Sequence, residues 1–417
     1  MNYYPLLKKE HASIEKTIAQ KALAASSRMP KFWASVESQY GNDPVYVFGA
    51  LLRENKFTAE DFALKRLNSP AAWANDSAQA GVEWTLFDFS QTAARIKAAG
   101  ILTESAQYQA RFTRMEAIMA ASEVYSRLAA ADALLDVLEK QTSGGRADVA
   151  AAEALGRTGQ ALGADFYLAR LTQTQLLQMK NETAAQRAAL NLVFNVLRGV
   201  DPAVPVAVKM DFAKPIEVTG SVGEWMDQAI NNRPDIKAMA RLLEAGGVEV
   251  TAESKSVLPK VVAFGGADED VHRIGSSGGG NYMFGLKVRM DLFDPGHAPR
   301  VKMAQEKVRE LSAAYQEKKD QAARDAADVY WRLRALGSNI RLAGNACADA
   351  GQALKLLEPL YREGRSSIGQ MLSIRSEVVA ARERWLGLEA ARRENALTLK
   401  LYAGQLTPEA AEAIYGQ

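Results

Sequence analysis

The sequence predicts a mixed α and β fold, mainly α: long antiparallel coiled-coil helices interrupted by four β-strands per chain, built as a two-fold internal repeat. Three observations point there. The chain repeats itself: Val124-Tyr125-Ser126-Arg127-Leu128 matches Val329-Tyr330-Trp331-Arg332-Leu333 at an offset of 205 residues, and Arg157-Thr158-Gly159 with Arg362-Glu363-Gly364, Arg170 with Arg375, and Gly199 with Gly404 keep that offset. The longest proline-free stretches carry heptad seams, which call for helical partners. The segments that alternate apolar and polar residues lie between those stretches, in both halves.

The first repeat, residues 1–199, opens with a partial helix from Leu7 to Met29 and a Pro30-Lys31 step. Strands follow at about 31–40 and 81–87. In the first, Phe32, Ala34, Val36, Ser38 and Tyr40 alternate with Trp33, Ser35, Glu37 and Gln39; in the second, Val82, Trp84 and Leu86 alternate with Glu83, Thr85 and Phe87. The connection between them carries the breakers Asp43-Pro44 and Asn68-Ser69-Pro70 and has room for a small helix near Thr58 to Lys65. Helices are predicted at about 91–141 and 148–198. The first would be ~75 Å long at about 1.5 Å per residue, beyond the needs of a compact domain. Its seam is Ala117, Ala121, Val124, Leu128, Ala131, Leu135 and Leu138. Thr142-Ser143-Gly144-Gly145 reads as the turn that stops it, and Gly199 as the C-cap of the second.

Residues 200–222 carry Pro202, Pro205 and Pro215 and read as an inter-repeat linker. The second repeat, 223–405, has a helix at about 223–257, strands at about 260–266 and 282–293, and helices at about 298–357 and 366–403, followed by a tail at 406–417. The last helix repeats the seam with Met371, Ile374, Val378, Ala381, Trp385 and Leu388. In the fourth strand Phe284, Leu286, Val288, Met290 and Leu292 alternate with Gly285, Lys287, Arg289, Asp291 and Phe293. Gly266 to Asn281, rich in Gly, Ser and Asp, reads as an exposed loop.

Composition removes several functions. The chain has 417 residues with 51 Lys+Arg against 49 Asp+Glu, so it lacks the basic excess of a nucleic-acid binder. Cys347 is the lone cysteine, which excludes a disulfide framework and a zinc site of several thiolates. His11, His272 and His297 are scattered, and no metal site is expected. Gly278-Gly279-Gly280 has no lysine–serine pair after it, so no phosphate cradle is indicated. No nucleophile–base motif appears, so neither an enzyme nor a cofactor is expected. Mean hydropathy is −0.19 and no apolar run reaches about 18 residues, which predicts no membrane-spanning helix but leaves a β-barrel open. Met1 to Ser13 shows no basic region followed by an apolar core, so no secretory signal is predicted there: either the protein is cytoplasmic or the natural chain begins further upstream.

Four strands are too few for a barrel, whose smallest members have about eight. Several chains pooling strands would remove the open edges, with the helices projecting from one end. If Phe284, Leu286 and Val288 face lipid, Lys287, Arg289 and Asp291 line the lumen, where the two cations would bias passage towards anions. The opposed reading is a soluble or periplasmic coiled-coil scaffold without a pore.

The arrangement resembles the TolC-like outer membrane efflux protein family over roughly residues 14–405. The resemblance rests on Arg233-Pro234-Asp235-Ile236 opening a helix, Leu258-Pro259 before a strand, Leu292-Phe293-Asp294 before a long helix, and Tyr361-x-x-Gly364 near a helical tip. It implies a homotrimer in the outer membrane of a Gram-negative bacterium. Each chain would give four strands to a twelve-stranded barrel in outer membrane lipid and its helices to a periplasmic α-barrel. It further implies a passive duct for efflux or type I secretion, docked through a periplasmic adaptor (membrane fusion) protein to an inner-membrane RND or ABC transporter. Some members carry two acids after the tip motif; the matching positions here are Gln370 and Ser373, so that acidic ring is absent. By the same resemblance, Tyr361 and Asp165 would tie the tip closed by hydrogen bonding.

Overall fold

The computed structural model describes residues 5–212, 214, 216 and 218–415. In chain order the elements are α1 (Pro5–Ser26), β1 (Lys31–Gly41), α2 (Pro44–Arg53), a 3-10 turn (Ala59–Phe62), α3 (Leu64–Asn68), β2 (Trp73–Phe87), α4 (Gln91–Arg157), α5 (Gly163–Arg198), α6 (Val222–Asn232), α7 (Pro234–Ser254), β3 (Lys260–Val271), β4 (Gly278–Arg289), α8 (His297–Arg362), α9 (Ile368–Tyr402) and α10 (Pro408–Tyr415). The two compact units are not the two sequence repeats, because each draws on both halves. One holds the described parts of Met1–Ile14, Glu104–Ala240 and Ala313–Gln417, the other Glu15–Thr103 and Arg241–Ser312.

The sheet unit contains one antiparallel sheet in the order β1-β2-β3-β4. β2 is far longer than the expected 81–87, because its first half (Asn75, Asp76, Ser77, Gln79) is polar and hides the alternation. The expected loop 266–281 is mostly strand. β3 runs on to Val271 and β4 starts at Gly278, with Asp268 opposite Asn281 and Asp270 opposite Gly279. β4 ends at Arg289, short of the expected Phe293. The connection between β1 and β2 folds into α2, the 3-10 turn and α3 rather than one helix near 58–65.

The helical unit is built on the seams. Every seam residue of α4 and α9 is buried or half-buried. The repeat is physical as well as textual. α5 starts at Gly163 and α9 at Ile368. Gly159 and Gly364 both take φ near +70° after the preceding helix, and so do Gly199 and Gly404. In each of the first pair, the next residue donates its N–H five positions back, Gln160 to Leu155 and Arg365 to Leu360. Such a left-handed residue closes the last carbonyls of a helix at little cost only when it is glycine.

Three helix boundaries differ from the sequence reading. α4 passes through Thr142-Ser143-Gly144-Gly145 without a break. Those glycines make room instead: a Cβ on Gly144 would lie 2.0 Å from Arg375 Nη1, and one on Gly145 would lie 2.3 Å from Gln173 Oε1. The single helix expected at 223–257 is two, broken at Arg233 because Pro234 disfavours a helical residue before it. Within α8, Pro359 does not stop the helix, which reaches Arg362 because Tyr361, and Leu354 and Leu357 beside it, pack into a cluster with α4 and α9.

The segment after α5 is irregular, and its backbone is satisfied by side chains from the helices. The Asn195 amide donates to Val204 O at 2.7 Å, and Asn191 accepts from Val206 N at 2.8 Å. Arg187 donates to Asp132 at 2.8 Å and to Val206 O at 2.7 Å. Arg393, fully buried, donates to Glu389 at 2.7 Å and to Asp211 O at 2.7 Å, and lies over the Phe212 ring. Arg393→Ala would leave Glu389 to Arg392 alone, 2.8 Å away, and strip the Asp211 carbonyl of its donor. It is expected to cost about 1–3 kcal/mol of stability, read as an earlier urea midpoint by far-ultraviolet circular dichroism in detergent. A loss under about 1 kcal/mol would show the site relaxing into water.

Candidate functional site

Side chains directly opposite in an antiparallel sheet share a face, so the register sorts the four strands into two surfaces. Phe32, Ala34, Val36 and Tyr40 share one with Val82, Trp84, Val261, Ala263, Tyr282, Phe284, Leu286 and Val288. Towards the helix-bearing end this surface is apolar and open, with Phe32 79%, Val36 79%, Phe284 74% and Leu286 70% exposed; towards the other end it also carries Ser38, Asp76 and Glu269. Leaving one such side chain in water forgoes about 1.5–3 kcal/mol of burial, so a row of them implies an apolar surrounding.

The opposite surface carries the polar groups. Glu37, Gln39, Asn75, Gln79, Glu83, Asp268, Asp270, Lys287 and Arg289 lie on it. Lys287 donates to Glu83 at 2.7 Å and lies 5.6 Å from the centre of the Phe264 ring. Arg289 lies 3.6 Å from Asp291, just past the strand end. Both cations expected to favour anions are thus matched by acids, which removes the basis for that bias. β1 pairs only with β2 and β4 only with β3, so each presents an outer edge of unpaired backbone groups.

The second candidate region is the helical tip, where the turns after α4 and α8 come together in one apolar cluster. Ala152, Leu155, Ala169, Tyr361, Ile368, Met371 and Leu372 form it. Tyr361 is buried, and its hydroxyl makes no hydrogen bond among the described residues. Burial, with Asp148 and Asp165 nearby, pushes its pKa up to about 12. Asp165 does not bond Tyr361. Its carboxylate accepts from Leu162 N at 3.0 Å as the third residue of a helix start, where the N-terminal dipole favours an acid. Within one chain Asp165 therefore serves as a helix cap. Gly364 supplies the left-handed turn described above. Gln370 and Ser373 lie exposed on α9, Gln370 accepting from Ser366 Oγ at 3.0 Å.

The polar contact that joins the two hairpins sits deeper. Arg375 of α9 donates to both carboxylate oxygens of Asp148 on α4, at 2.6 and 3.2 Å, and to Gln141 at 2.9 Å. Both members of the pair are nearly inaccessible. Burial raises the Asp148 pKa, and the Arg375 guanidinium opposes that rise. Sequence reasoning missed this pair. The signals were present, in the repeat match of Arg170 with Arg375 and in two glycines inside a heptad helix, but the glycines read as a turn.

The remaining motif residues act at element boundaries. Pro234 opens α7, and Asp235 in its first turn accepts from Arg233 at 2.9 and 3.1 Å. Lys318 lies 3.1 Å from Asp235, and Arg233 sits over the rings of Phe112 and Tyr402. Pro259 enters β3. Asp294 accepts from Gly296 N at 2.9 Å and from Arg300, which together hold its pKa below the usual carboxylate range. Asp88 does the equivalent before α4, accepting from Thr92 N at 2.8 Å. Leu292 and Phe293, 90% and 86% exposed, extend the apolar surface beyond β4.

Residues 225–405 match the family described as outer membrane efflux protein. Protein CyaE of Bordetella pertussis is 26% identical over 333 residues, covering 78% of this chain and 69% of that one. The cation efflux system protein CusC of Escherichia coli K12 is 23% identical over 234 residues, covering 55% of this chain and 50% of that one. In fold, a crystal structure of CusC superposes with a TM-score of 0.79 at 17% identity, over 95% of this chain and 88% of the other. The outer membrane protein VceC of Vibrio cholerae superposes with a TM-score of 0.78 at 16% identity, over 97% and 93%. The second repeat thus matches the outer membrane efflux protein family, and nearly the whole chain shares the fold of these solved structures, four strands set among paired long helices.

Proposed function

We propose that this chain is the outer membrane channel subunit of a tripartite efflux pump or type I secretion system. The carrying observation is the sheet: one face dry and exposed, the other polar, both edges open. In hydrocarbon every backbone group must be paired, so such a sheet is admissible only when closed into a barrel. Three copies with four strands each give a twelve-stranded barrel, within the range of membrane barrels. Outer membrane lipid meets the Phe284 face, the polar face lines the lumen, and the long helices extend into the periplasm. The duct is passive. A periplasmic adaptor (membrane fusion) protein joins it to an inner-membrane RND or ABC transporter, and that transporter selects the cargo. CusC is named for cation efflux, but the tip positions Gln370 and Ser373 give this chain no acidic ring with which to gather cations.

The assembly is tested by fractionation and semi-native electrophoresis. The expected product is an outer membrane species that runs as a trimer and collapses on heating. A monomer that stays in solution without detergent would instead establish the coiled-coil scaffold. Replacing Phe284 and Leu286 by Arg should abolish the trimer in membranes, since such a cation on a lipid-facing strand costs about 2–4 kcal/mol near the midplane.

Closure of the tip rests in this reading on the Arg375–Asp148 pair. Breaking one partner of a buried ion pair costs about 3–5 kcal/mol, enough to shift a closed state to an open one. Arg375→Gln is expected to raise single-channel conductance several-fold in planar bilayers, while Tyr361→Phe leaves it within about twofold. The reverse order would return the latch to Tyr361. In the same assay, Gln370→Asp with Ser373→Asp should turn the reversal potential towards cation selectivity.

A further inference from the structure

The connection between β1 and β2 is neither a short hairpin nor an irregular loop. Asn42 to Ala72 holds α2, a 3-10 turn and α3, at the end of the sheet away from the long helices. α2 begins with Asp43 accepting from Tyr46 N at 2.9 Å and Pro44 in its first turn, so its start is set locally. Phe48, Phe57 and Phe62 then stack edge to face, with centroids 4.9 and 5.0 Å apart.

Which face of the sheet this small body covers follows from its contacts. Tyr46 Oη donates to Gln39 O at 3.0 Å. Trp73 Nε1 donates to Glu54 Oε1 at 3.0 Å. The carbonyl of Arg53 passes so near Gly279 that a Cβ there would lie 2.0 Å from it. Trp73 and Gly279 belong to the polar surface, in line with Asn75 and Asp270. Beneath the body that surface is closed off: Asn75 is 6% and Asp270 0% exposed, joined by a 2.7 Å hydrogen bond. At the helix-bearing end the same surface is open, with the Lys287 and Glu83 side chains about half exposed. The apolar surface is left bare.

We propose that residues 42–72 form a plug, folded inward over the polar face, that occupies and narrows the outer mouth of the pore. The proposal rests on the barrel reading, in which the polar face is the lumen; whatever covers that face takes up lumen. Gly279 is then a specificity of the plug. It is the strand position where the absent side chain lets a helix backbone lie directly on the barrel wall.

The test is single-channel conductance of purified protein in planar bilayers, after heat-sensitive trimers have been shown for each variant. Replacing residues 44–71 by a short Gly/Ser turn should raise conductance at least about threefold, and Gly279→Val, which expels α2 from the wall, should raise it in the same direction. A third variant leaves the fold alone. Phe62, 65% exposed, is changed to Cys in a Cys347→Ser background, and a polyethylene glycol thiol reagent is added to the outer side. Conductance should fall by half or more, reversibly with reductant. Unchanged conductance in the deletion trimer, or no response of Phe62→Cys to the reagent, overturns the plug and makes the body a cell-surface loop outside the pore. If the unmodified protein forms no trimer and no pore, the barrel reading fails and the plug fails with it.

Discussion

The structure depends on one constraint, the requirement that the backbone groups at the edges of a four-stranded sheet find partners. Within one chain β1 and β4 have a single neighbour each, and the face they share is dry. Neither condition is tolerable alone in water or in lipid. The proposed assembly answers both by bringing identical copies edge to edge, each strand leading into or out of a helical segment. Among the described residues no helix is long and apolar enough to cross a membrane.

Inside the helical unit the polar interactions have a different character. Arg393, Arg375 and Arg233 are each buried and each paired with an acid; Arg393 and Arg233 lie where an irregular or interrupted stretch of backbone meets the helices, and Arg375 lies between two unbroken ones. Replacing such pairs with apolar residues is often neutral for stability, so their presence speaks for positional definition. Arginine suits this use because its planar fork fixes both distance and direction. Arg393 orients the segment around Asp211, Arg233 fixes the break before Pro234, and Arg375 sets the spacing of α4 and α9 near the tip.

Much of this was legible in the sequence. The offset between halves, the heptad seams and the alternation at Tyr282 to Arg289 each report a periodicity that one physical environment imposes along many residues. What was not legible depended on single contacts. Gly144 and Gly145 read as a turn because glycine signals both flexibility and close approach, and only the position of Arg375 tells which applies. The first half of β2 was hidden because its polar residues meet α2 and β3, which the local pattern does not describe. The cap that Asp165 gives to Leu162 N was overlooked in favour of a longer-range role. Local capping outcompetes a longer-range bond because it orders no additional chain.

The left-handed glycines at 159 and 364, and again at 199 and 404, fall at equal steps along the two halves, whereas β1 and β3 do not keep that step. One residue added to a long helix would swing everything beyond it by about 100° and turn its buried stripe outward. A residue added between β1 and β2 rotates nothing. The two halves therefore differ in length where their strands are joined, 42–72 against 272–277, and keep step where their helices turn.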